Sequence, residues 1–144
     1  MVCSWRALET LLPEAEQILS DPFARSFLGS ARGAILDAAE KLPKRALMAL
    51  FRRMDRVVQG VTTFVLARHR AMDDLLTAQD GLEQVVLLGA GYDTRSVRLA
   101  EALEGVVVYE VDHPATAARK QSIKQAAFGD RPQAKTVSVT VDFA

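Results

Sequence analysis

Apolar and polar positions alternate in two different rhythms along this chain, and the change between them falls near residue 80. From Leu47 to Leu76 the apolar residues recur at Leu47, Leu50, Phe51, Met54, Val57, Val58, Val61, Val65, Met72 and Leu76, the three-and-four spacing of a helix with one buried stripe. Gly60 is placed to kink or divide that helix. Upstream, WRALETLLPEAEQIL predicts a short helix broken near Pro13. Asp21-Pro22 reads as a cap and first turn, Gly29 and Gly33 loosen the next stretch, and Pro43 opens the basic segment KRALMALFRRMDRVV. Gln79-Asp80-Gly81 then punctuates the chain.

Beyond that point short apolar runs alternate with helical ones. Gln84–Leu88, Val106–Val111 and Thr136–Val141 predict strands, and Thr94–Leu103 and Pro114–Phe128 predict helices, giving β-α-β-α-β. Parallel strands joined by right-handed crossovers follow from that order. VVLL is apolar at every position, as in a strand covered on both faces. TVSVTV alternates strictly, as at a sheet edge, so the pattern predicts the strand order 3-2-1. The first strand then lacks a second neighbour, so either the chain is the front half of a larger domain or the open edge is covered by the helical segment or by a second subunit. Residues 1–80 are expected to form a helical cap and residues 81–144 an α/β domain.

Composition narrows the class without naming it. Of the 144 residues 49% are hydrophobic and 25% charged, an ordinary globular balance. Eighteen basic residues offset eighteen acidic ones, so no single-sign field points to nucleic acid or an anionic membrane. Lys44, Arg45, Arg52, Arg53 and Arg56 read as a solvated helix face. The one cysteine, Cys3, fits a reducing compartment, and with only His69 and His113 besides, no metal site is expected. No apolar run reaches the roughly 18 residues of a membrane span, and the N-terminus lacks the apolar stretch of a signal peptide. The expectation is a cytoplasmic protein.

The chemistry concentrates where the first predicted strand runs into Gly89-Ala90-Gly91. Glycines at the carboxyl end of a parallel strand tolerate positive φ and let a ligand approach the backbone, and a following helix would aim free N–H groups into the crevice. The second strand ends Glu110-Val111-Asp112-His113-Pro114, where a carboxylate could accept both hydroxyls of a ribose. Alternation along the strand is taken to make Glu110 the structural carboxylate and Asp112 the ligand. Asp93 and Arg95 read as braces of the turn, His113 as the entry to a helix and His69 as a solvated side chain. The full dinucleotide fingerprint needs a third glycine, and Thr94 stands in its place. A nucleoside without a pyrophosphate is therefore favoured over NAD.

VVLLGAGYDTRSVRL followed by YEVDHP resembles the leucine carboxyl methyltransferase family, in particular the bacterial S-adenosylmethionine-dependent O-methyltransferases. DPFARSFLG and LARHRAMDDLL match the same branch upstream. The resemblance implies a helical cap followed by the first half of a Rossmann-like class I methyltransferase fold, with S-adenosyl-L-methionine as cofactor and a small-molecule carboxyl or hydroxyl as acceptor. It implies that Arg68 binds the methionine carboxylate, that Gly89, Ala90 and Gly91 underlie the ligand and that Asp112 holds the ribose. It assigns the adenine amino group to Asp142, a ring nitrogen to the Phe143 N–H, and a second contact with the ligand carboxylate to Arg6. Family members run on through four further strands and most of the acceptor pocket, so the expectation is a cut-short chain, poorly active alone, with no catalytic residue assignable. Two alternatives stay open: a non-catalytic binding or oligomerisation module of the same descent, and an NAD(P)-binding fragment.

Overall fold

The computed structural model describes residues 2–142. The chain divides into two compact units, one reaching Leu75 and one beginning at Leu76. The division falls inside a helix rather than at the punctuation of residues 79–81.

The first unit is helical. Helix α1 (Val2–Glu9) stops four residues before Pro13, and a 3-10 turn (Glu14–Glu16) follows. The gap between them is stitched by Gln17, whose Nε2 donates to the carbonyls of Thr10 at 3.2 Å and Leu12 at 2.8 Å. Those are acceptors that the end of a helix leaves open. Asp21 caps a 3-10 turn (Ala24–Phe27) rather than an α-helix, its Oδ1 accepting from the Ala24 N–H at 3.1 Å. Helix α2 (Ser30–Glu40) runs straight through Gly33, since one glycine costs only about 1 kcal/mol in a helix.

Pro43 precedes α3 (Lys44–Val57), and α4 (Val61–Thr77) follows after Gly60, whose φ of 81° divides the two. The Gly60 N–H donates back to the Asp55 carbonyl at 2.8 Å, closing the end of α3. Leu12, Leu19, Ala39, Leu47, Phe51 and Leu66 form the core of this unit.

The second unit holds three parallel strands, β1 (Gln84–Leu88), β2 (Val107–Asp112) and β3 (Lys135–Thr140), in the order β1-β2-β3. β2 and β3 differ from the predicted bounds by one residue at each end. Register pairs Val86 with Tyr109 and Tyr109 with Val137, and Leu87 with Glu110 and Glu110 with Ser138. Helix α6 (Pro114–Phe128) starts as the sequence predicts, with His113 Nδ1 accepting from the Ala115 N–H at 3.2 Å. The predicted helix 94–103 shrinks to the single turn α5 (Arg95–Arg98), followed by irregular turns up to Gly105.

Val85, Leu103, Val106, Val108 and Ala134 make the core of this unit. The expectation of a β1 covered on both faces fails. Among the described residues β1 pairs only with β2, and Val86 and Leu88 are 56% and 78% exposed. Val139 on β3 and Val141 just past its end add exposed apolar surface. The uniform apolarity of VVLL thus records a strand with two apolar faces, of which the described residues bury one.

Candidate functional site

The turn after β1 is built on positive φ. Gly89 has φ 62° and Gly91 φ 48°, a region that side-chain-bearing residues enter at a cost of about 1–2 kcal/mol. Steric crowding is not the reason for glycine here: a Cβ on Gly89 would meet nothing within 4 Å, and one on Gly91 only ordinary contacts. The surface over Gly89 is open.

Asp112 closes the turn from the end of β2. Its Oδ2 accepts from the Gly91 N–H and its Oδ1 from the His113 N–H at 2.6 Å. Each carboxylate oxygen offers about two acceptor positions, so two remain for a ligand. The Ala90 N–H donates to the Val111 carbonyl at 3.1 Å, locking the turn against β2. Together Ala90, Gly91, Asp112 and Ser138 line a narrow crevice of about 10 Å³, room for one water.

Of the helix N–H groups expected above this crevice, those of Arg95, Val97 and Arg98 are engaged locally. α5 is one turn long, and the Arg95 N–H donates to Asp93 Oδ1 at 2.8 Å. The Val97 and Arg98 N–H groups return to the Thr94 carbonyl, and the Asp93 N–H to the Ala90 carbonyl. Arg95 also ion-pairs with Asp93. Asp93 and Arg95 therefore brace the turn. A pyrophosphate, which binds through such N–H groups, finds them already engaged. A ligand that makes its polar contacts through a carboxylate does not need them.

Glu110 lies on the same face of β2 as Asp112, two residues away, so alternation does not separate the two carboxylates. Depth and partners do. Glu110 is 4% exposed. Its Oε2 stands 2.8 Å from Lys120 Nζ, a charge contact without hydrogen-bond geometry. Its Oε1 accepts from Ser96 Oγ at 3.1 Å and lies 3.9 Å from Lys124 Nζ, and Lys124 in turn donates to Ser96 Oγ at 3.1 Å. Burial pushes the Lys124 ammonium below its ordinary pKa, Glu110 pulls it back, and Lys120 adds to the fall. Sequence reasoning missed these lysines. The signal was available: Ala117, Lys120, Lys124 and Phe128 fall on one helical stripe, and all four are buried.

Arg68 is exposed on α4 in the first unit, and His69 beside it is half-buried rather than fully solvated. Arg6 is 2% exposed and pairs with Asp21 at 2.9 Å, so its role there is to neutralise a buried carboxylate. Asp142 is exposed just past β3, and the Val141 N–H donates to the Asp112 carbonyl at 3.0 Å, keeping this end of the chain beside β2. Phe143 lies outside the described residues. No group of His, Cys, Asp or Glu among the described residues is arranged to hold a metal ion, and no described helix is long and apolar enough to cross a membrane.

Comparison with known proteins gives the family. The sequence profile of the leucine carboxyl methyltransferase family matches residues 1–144. A Mycolicibacterium paratuberculosis protein provisionally named an S-adenosyl-L-methionine-dependent methyltransferase is 38% identical over 98% of this chain and 44% of its own length. Relatives under the same provisional name in Mycobacterium avium and Mycobacterium tuberculosis are 36% and 33% identical, over 99% and 98% of this chain and 46% and 45% of their own lengths. The chain thus spans somewhat under half the length of these relatives. With the family profile matched from end to end and the glycine turn closed by Asp112, the chain belongs to the leucine carboxyl methyltransferase family.

Proposed function

We propose that this chain carries the cofactor side of an S-adenosyl-L-methionine-dependent O-methyltransferase acting on a carboxyl or hydroxyl group of a small molecule. The observation that carries the reading is the state of the glycine turn. Its N–H groups are engaged internally, while Asp112 keeps acceptor capacity beside an open Gly89. That combination suits a ribose and disfavours a pyrophosphate.

In this reading Gly89, Ala90 and Gly91 lie under the nucleoside and Asp112 accepts from its sugar hydroxyls. Asp142 accepts from the adenine amino group, and the Phe143 N–H meets a ring nitrogen. Arg68 supplies the planar two-pronged donor that a carboxylate such as that of methionine prefers. The cofactor brings an electrophilic methyl, and this chain's residues bind and orient it. Transfer then depends on alignment with the acceptor oxygen, and no catalytic residue is assigned here. The sheet would be the first half of a doubly wound Rossmann-like domain that follows a helical cap in the sequence, and a buried thiol outside any disulfide at Cys3 suits the cytoplasm.

Calorimetric titration with S-adenosylhomocysteine and with NAD tests the reading. It expects heat only with the former, and a loss of about tenfold or more in affinity on Asp112→Asn, since a charge-assisted hydrogen bond is worth about 1.5–3 kcal/mol. Equal affinity for NAD, or indifference to Asp112→Asn, refutes it.

A second reading rests on a separate observation, the exposed Val86 and Leu88 on a strand with one described neighbour. Under it the chain is a binding module that pairs the open β1 edge with a second copy. A concentration-independent monomer by sedimentation equilibrium excludes it.

A further inference from the structure

In the helical unit an open pocket of about 170 Å³ lies between the segment that follows α1 and helix α3. Half of its lining is apolar. Ile18 and Met48, each half-buried, present surface to it, and Leu12 and Phe51 add a little more at 6% and 8% exposure. The other half is polar, and two of those residues are already engaged. Glu9 is fully buried and is held by the Ile18 and Leu19 amides, the former at 2.7 Å. Thr63 Oγ1 donates to Asp55 Oδ2 at 2.8 Å. Glu16 and Arg52 are different. Their side chains are 46% and 64% exposed and face each other at 3.6 Å, too far apart for a charged hydrogen bond. Neither side chain has another polar partner among the described residues. The pocket thus joins an apolar wall to two accessible, opposite and poorly satisfied charges. An apolar cavity of roughly 150 Å³ admits a benzene ring, so a side chain of that size has room here.

We propose that this pocket binds a free α-amino acid with an apolar side chain, the carboxylate on Arg52, the ammonium on Glu16 and the side chain against Ile18 and Met48. The site does not depend on the reading of the glycine turn. A zwitterion is favoured over a singly charged ligand by the charges that it meets. A carboxylate alone would satisfy Arg52 but face Glu16, and an amine alone would satisfy Glu16 but face Arg52. An α-amino acid carries both groups on one carbon and offers each residue its opposite. Loosening the existing Glu16–Arg52 contact costs little, because exposed pairs of this kind contribute at most about 1 kcal/mol. Two charge-assisted hydrogen bonds then replace one long contact. The rim stays wet, so binding is weak and reversible.

The test titrates L-phenylalanine, phenethylamine and 3-phenylpropionate, three probes with one ring and different charges, into the full chain by ligand-observed NMR near neutral pH. L-Phenylalanine is expected to bind tighter than either analogue by about two- to fivefold, the worth of one half-exposed ion pair. Arg52→Gln should bring it down to the affinity of phenethylamine or below, and Glu16→Gln to that of 3-phenylpropionate or below. Both positions are exposed, so both variants are expected to fold. Met48→Trp fills the pocket and should abolish binding of all three probes. Should that variant fail to fold, glycine replaces it as the check on the apolar wall, since it keeps both charges and is expected not to bind. Equal affinity for the three probes overturns the proposal. So does L-phenylalanine binding that is unchanged in Arg52→Gln and Glu16→Gln, binding that survives in folded Met48→Trp, glycine binding as tight as that of L-phenylalanine, or no binding of L-phenylalanine up to about 10 mM.

Discussion

Replacing Glu110 by Gln is the perturbation whose outcome the structure specifies most fully. The substitution keeps size and one acceptor but removes the carboxylate that faces Lys120 and Lys124, which are 2% and 5% exposed. At distances of 2.8 and 3.9 Å each attraction is worth about 4–6 kcal/mol at an effective dielectric near 20, before desolvation is subtracted. Removing one partner of a buried pair leaves the other charge stranded, at a measured cost of about 3–5 kcal/mol. Lys124, already below its ordinary pKa, limits the damage by releasing its proton. The loss should therefore stay within that range and not double. For a chain of this size it corresponds to a fall in Tm of roughly 10–15 °C. Urea unfolding followed by far-UV circular dichroism reads it as a lowered midpoint at constant slope. Combining Glu110→Met with Lys120→Met and Lys124→Met should restore most of the loss, because apolar residues of similar volume then replace the whole cluster. A single variant within about 1 kcal/mol of the parent, or a triple variant no better than the single one, refutes this account of Glu110.

Two further predictions concern pH. The folded state holds Lys124 below its unfolded pKa of 10.5, so it binds fewer protons there than the unfolded chain does. Stability should therefore rise with pH between the depressed folded pKa and 10.5, and Lys124→Met should flatten that rise in urea midpoints. Burial raises the Glu9 carboxyl above 4.5, with the Ile18 and Leu19 amides pulling it partly back. The stability it contributes is present below 4.5 and lost as pH climbs through the raised value, so Glu9→Gln should remove a downward slope on that acidic limb.

The two rhythms in the sequence separated helical elements from strands because burial on one helical stripe and burial on a strand face leave different periods. Pro43, Gly60 and Pro114 marked element ends because each acts through local backbone geometry. The glycine turn was readable for the same reason, since positive φ at Gly89 and Gly91 needs no knowledge of distant residues. What the pattern did not show depends on tertiary partners. Thr94–Leu103 looks helical, yet the helix ends after one turn at Arg98. Lys120 and Lys124 look like solvent lysines until Glu110 is placed against them. Arg6 looked available for a ligand until Asp21 was found beside it, fifteen residues along the chain. The separation of Asp112 from Glu110 was anticipated for the wrong reason. Both share a face and both line the crevice, and Glu110 differs in being buried against Lys120 and Lys124.

The central claim is that a nucleoside lies over the Gly89–Gly91 turn with its sugar on Asp112. The most direct measurement is a titration of the ¹⁵N-labelled chain with S-adenosylhomocysteine followed by amide correlation spectra, which registers even millimolar affinity. The account predicts the largest shifts at Gly89, Ala90, Gly91 and His113, whose amide donates to Asp112, and their loss in the Asp112→Asn chain. Saturable shifts confined to other residues, or shifts at the turn that persist without the carboxylate, would contradict it.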